Sequence, residues 1–136
     1  MTRDDLKEYK YNQEWIKGRL EYIEEYRTSI TNITSVISDM PKGSREVQDS
    51  MAEKIAELID MVNELLDDVL EENKKQKEIT DQLKLVEQPY RLILDKMYIQ
   101  GKSLVVVASE MNYTYKYIIN MHGIALNKFD EVCKLW

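Results

Sequence analysis

The chain has 136 residues, 32% of them charged, a net charge of −6, and only four glycines and two prolines. That length supports one domain or two small ones, and the scarcity of chain breakers points to long helices. One cysteine (Cys133) and one histidine (His122) leave no material for a disulfide framework, a zinc cluster or a histidine-based triad.

A first helix is expected from about Asp4 to Ser38. Tyr9, Ile16, Ile23, Ile30 and Ile37 recur every seven residues, with Leu20, Tyr26 and Ile33 between them. Such a heptad row is a seam that must be buried against another helix, in this chain or in another copy. Gly18 inside it costs about 1 kcal/mol of helix propensity. The stretch 39–50 loses the apolar period and carries Pro41 and Gly43, so it reads as a loop whose Lys42 and Arg45 form a solvated turn.

A second helix is expected to start near Ser50 or Met51. Met51, Ile55, Leu58, Val62, Leu65 and Val69 step by fours and threes, and Ile79, Leu83 and Val86 resume the row in register. An unbroken phase means one helix of about 55 Å, folded back on the first as an antiparallel hairpin. The polar stretch 72–77 reads as solvated.

Pro89 suits a first helical turn, and Tyr90, Ile93, Leu94, Met97 and Tyr98 give a third helix its apolar face, ended by Gly101. A short helix then runs from Ser103 to Met111, a tight turn falls at Asn112, and a longer helix starts at Thr114. Ala108 supplies the small residue that a crossing helix requires. Asn112 tolerates φ > 0, Thr114 is a suitable N-cap, and Ile118 faces back to the first helix. These spacings describe a helix-turn-helix. Apolar residues from Ile124 to Trp136 carry the last helix to the terminus, with Trp136 read as a cap on the core or an oligomer contact.

From Pro89 onward six basic residues outnumber four acidic ones, a surplus of two, so residues 1–88 carry −8. The acidic part would stay off phosphates, while the tail is only mildly basic. No apolar run approaches the roughly 20 residues of a membrane span, and no leader opens the chain, so a cytoplasmic location without membrane contact is expected. Carboxylates lie on solvated faces, with no nucleophile–base pair or phosphate loop, so neither an enzyme nor a cofactor is expected.

The segments Tyr90-Arg-Leu-Ile-Leu-Asp-Lys-Met-Tyr-Ile-Gln-Gly-Lys-Ser-Leu, Val107-Ala-Ser-Glu-Met-Asn-Tyr-Thr and Ala125-Leu-Asn-Lys-Phe resemble region four of bacterial sigma factors. The chain as a whole is similar to phage-encoded regulators of the ArpU/RinA type. That resemblance implies an all-α fold: a long, coiled-coil-like antiparallel hairpin for packing or oligomerisation (1–88), then a three-helix helix-turn-helix DNA-binding domain (89–136). It also implies a phage-type transcriptional regulator of late or morphogenetic genes in a bacterial host cell. Double-stranded DNA would be the partner, with RNA polymerase or another phage protein, and a homodimer, as further ones. By position, Thr114, Tyr115, Lys116, Ile119 and Asn120 would face the major groove, and Lys102, Tyr113 and Tyr117 would reach phosphates. Where sigma factors carry arginines on this face, this chain carries Tyr115, Tyr117 and Ile119. A protein-only adaptor therefore stands as one alternative, and a small terminase-like packaging subunit, a class that also couples a helix-turn-helix to a helical oligomerisation region, as another.

Overall fold

The computed structural model describes residues 1–38 and 45–135, with side chains described outside 33–47. The fold is all-α, with no strand among the described residues. It comprises α1 (Arg3–Ser38), α2 (Arg45–Leu83), α3 (Tyr90–Leu94) continued by a π-helical turn (Asp95–Ile99), α4 (Leu104–Met111) and α5 (Tyr115–Cys133). No helix among the described residues is long and apolar enough to cross a membrane. Of the expected loop 39–50, residues 39–44 lie outside the described residues, as does the terminal Trp136.

Two compact units divide the chain: residues 1–13 with 71–136, and residues 14–70. The expected boundary at 88/89 therefore does not coincide with the division into units. Leu6 and Tyr9 of α1, with Ile79 and Leu83 of α2, share one core with Leu94, Tyr98, Leu126 and Phe129. Burying those apolar groups together places the start of α1 and the end of α2 in one unit with the later helices.

In the first unit, α1 opens with Thr2 and Asp5 exchanging bonds: the Thr2 N–H donates to Asp5 Oδ2 at 2.8 Å, and the Asp5 N–H donates to the Thr2 carbonyl at 3.1 Å. This satisfies amides that a helix start leaves unpaired. Arg3 Nε donates to Asp130 Oδ2 at 2.6 Å and its Nη2 to Asn127 Oδ1 at 2.6 Å, tying α1 to α5. Gln82 sits in the inward row with Ile79, Leu83 and Val86, and its amide donates to the carbonyls of Met1 (2.7 Å) and Phe129 (3.2 Å). Glu72, expected to be solvated, is buried. Its Oε1 accepts from Asn12 at 3.1 Å and pairs with Lys75 at 3.3 Å. Glu72 lies seven residues before the buried Ile79, on the same side of α2, and polarity alone does not turn a position outward.

α2 starts earlier than expected, at Arg45, since exposed residues 48–50 need no apolar period to be helical. It ends at Leu83, and short turn bonds carry Val86 into the core. The Arg91 guanidinium donates to the carbonyls of Val86 (2.9 Å) and Lys84 (2.8 Å), groups that a helix end leaves open. The π turn after α3 is closed by the Gln100 N–H on the Asp95 carbonyl at 3.0 Å. Gly101 follows at φ 71°, a left-handed conformation that glycine adopts without steric cost.

In the second unit, α1 and α2 run antiparallel. Tyr26 Oη donates to Glu57 at 2.7 Å, while the earlier residues Arg19, Tyr22 and Ile23 share a recess with the later Met61, Glu64 and Asp68. The Glu57 carboxylate, chiefly through that bond, pushes the Tyr26 phenol up to about 12. Among its described residues only Ile23 and Ile30 of the expected seam are buried, and Leu20 is half exposed.

Candidate nucleic-acid interface

α4 begins at Ser103, whose hydroxyl accepts from the Val106 N–H at 3.4 Å. Its inner side is Val107 and Ala108, both buried, while Val105 (62% exposed) and Val106 face outward. α4 terminates on Asn112, at φ 59° and ψ 37°, the single non-glycine residue with positive φ among those described. The Tyr113 N–H donates to the Ala108 carbonyl at 2.9 Å, and the Asn112 N–H to that of Ser109 at 3.3 Å. This 6→1 and 5→2 pair is the Schellman closure of a helix, here with asparagine in place of the usual glycine.

Two residues later Thr114 caps α5, its hydroxyl accepting from the Tyr117 N–H at 3.2 Å. Ile118 and Met121 then turn inward onto Ala108, Val107 and Ile93, with Met111 half-buried beside them. Alanine leaves the room that these two side chains fill. Anchored on that side, α5 leaves Thr114, Tyr115, Lys116, Tyr117, Ile119 and Asn120 exposed. Lys116 and Asn120 are one turn apart, as are Tyr115 and Ile119. Lys116 has no ion pair among the described residues.

Two of the residues expected at the interface are otherwise engaged. Tyr113 is half-buried in the small core and meets Tyr117 edge-on, with ring centroids 5.0 Å apart. Lys102 is half-buried and its ammonium lies 2.7 Å from Glu110 Oε1, while Lys96 lies 2.8 Å from Oε2. The two ammonium groups, Lys102 first, hold the Glu110 carboxyl below the usual carboxylate range. Two cations thus share one anion, leaving a single positive charge beside α4. Spacings of 8 and 14 residues carry no sequence signal for such a clamp, which exists because the π turn brings Lys96 against α4.

His122 lies one turn beyond Ile118. Its Nε2 is 2.8 Å from the Tyr98 hydroxyl. Burial first, then the nearby Lys7, Lys10 and Arg3, depresses its pKa. Among the described residues no three His, Cys, Asp or Glu side chains gather as a metal site requires. What the exposed start of α5 offers is an amide, an ammonium and phenols on a rigid helix. No family model, curated protein or solved structure matches the chain.

Proposed function

We propose that this chain is a phage-type DNA-binding transcriptional regulator whose α4–turn–α5 segment acts as a helix-turn-helix, with the start of α5 in the major groove. The observation that carries the reading is the exposed row Tyr115, Lys116, Ile119 and Asn120 on a helix whose opposite side is locked to α4. Asn120 has the donor–acceptor pair that matches adenine N6 and N7, and Lys116 suits guanine O6 and N7 or a phosphate. The unpaired amides at the start of α5 add phosphate donors. Because Glu110 neutralises one of Lys96 and Lys102, few phosphates are engaged per copy, and the salt dependence is shallow.

Fluorescence polarisation of labelled duplexes across a salt series tests this. Lys116→Glu is expected to weaken binding about ten- to a hundredfold and to flatten the salt slope by about one. Glu110→Gln, which releases two ammonium groups, is expected to tighten it. Absence of salt-sensitive binding to any duplex rules the reading out.

A second reading, an adaptor for RNA polymerase or another phage protein, is favoured by the apolar content of this surface, where Val105, Val106, Tyr115, Tyr117 and Ile119 are each 42% to 62% exposed. Under it, Lys116→Glu leaves the activity largely intact.

A further inference from the structure

On the 14–70 unit, apolar positions occupy about 200° of α2, at 100° per residue. The Tyr26–Glu57 bond and the recess shared by Arg19, Tyr22, Met61 and Asp68 mark the side turned to α1. Far around the helix run Ile55, Ile59, Val62, Leu66 and Leu70, spaced 4, 3, 4 and 4, and 43% to 54% exposed. One neighbouring helix covers a stripe of roughly 100°. A second stripe therefore stays uncovered. Beside it lies a rail of acids at every seventh position, Glu53, Asp60 and Asp67, all exposed, with Glu57 and Glu64 behind it. Between residues 48 and 70 only Lys54 opposes seven acids.

We propose that this row is the docking surface for an amphipathic helix of another protein, apolar on one side and rich in lysine or arginine along the edge that meets the acidic rail. The i, i+4, i+7 anchors are those of helix-in-groove recognition. Five half-exposed aliphatic side chains amount to on the order of 400 Å², the size at which a patch on a monomer commonly marks a binding site. A stable interface buries about 800 Å² from each side, so a row of this size suits a salt-sensitive contact with a single helix. A second copy paired antiparallel would set its Glu53, Asp60 and Asp67 against the same acids. Charge thus favours a basic helix over self-association. The inference concerns the 14–70 unit alone, so it stands or falls independently of DNA binding by α5.

The test uses the full chain and a synthetic four-heptad peptide with leucine at its core positions and lysine at the flanks, beside a glutamate-flanked counterpart. Sedimentation at 0.15 M salt is expected to show a monomer. The lysine peptide is expected to bind, with affinity falling tenfold or more between 50 and 300 mM salt, while the glutamate peptide does not. Leu66→Glu, half exposed and so compatible with folding (checked by circular dichroism), is expected to weaken binding at least tenfold. Asp60→Lys with Asp67→Lys is expected to do so without touching the apolar row. Equal binding of both peptides, indifference to both sets of substitutions, or a dimer dissolved by Leu66→Glu overturns the proposal.

Discussion

The turn at Asn112 gives the most direct test of the local geometry. A left-handed conformation costs an ordinary L-residue about 1–2 kcal/mol, and asparagine less because its amide bonds locally. The chain cannot relax out of it without giving up the 2.9 Å and 3.3 Å bonds that close α4. Asn112→Ala should therefore cost about 1 kcal/mol, and Asn112→Val, branched where φ is positive, about 2 kcal/mol or more. Asn112→Gly removes the steric cost but adds about 0.5–1 kcal/mol of chain entropy, so its net effect is near zero. In a unit of this size each kcal/mol lowers Tm by about 4–8 °C. Thermal melts followed by circular dichroism should rank the variants as wild type and glycine together, then alanine, then valine. Asn63→Ala, on the exposed surface of α2, is the control and should be neutral or slightly stabilising. Equal melting of the valine variant and wild type would refute the left-handed turn and, with it, the projection of α5.

Phe129, fully buried among Leu6, Tyr9, Ile79 and Leu83, joins the two ends of the chain; Phe129→Ala should cost about 3–5 kcal/mol in urea unfolding, and a loss below 1 kcal/mol would contradict that shared core. His122 is the chain's one histidine, and its folded pKa lies below the unfolded value. The folded state thus binds the proton less well, so stability is full above the unfolded pKa near 6.5 and declines as pH falls through it towards the folded pKa. His122→Gln, which keeps an acceptor for Tyr98, should flatten stability between pH 7.5 and 5.5; an unchanged slope would show that another group is responsible.

Much of the helical layout was fixed by short-range chemistry. Heptad spacing indicated a helix from about Asp4 to Ser38, where α1 spans Arg3–Ser38, and Ser103, Asn112 and Thr114 mark the start of α4, its end and the start of α5, because caps and left-handed turns are decided by a residue and its nearest neighbours. Whether a seam is buried is not a local property. The row on α1 is buried at Tyr9, Ile23 and Ile30 but open at Leu20, and α2 keeps a second row uncovered, since periodicity records that a face is apolar without saying what lies against it. Tertiary structure alone decided that Glu72 and Gln82 turn inward, that the start of α1 and the end of α2 share a core with α5, and that Lys102 answers to Glu110. Those contacts join residues brought together only by the packing of separate helices, where side-chain volume and charge, not sequence distance, select the partner.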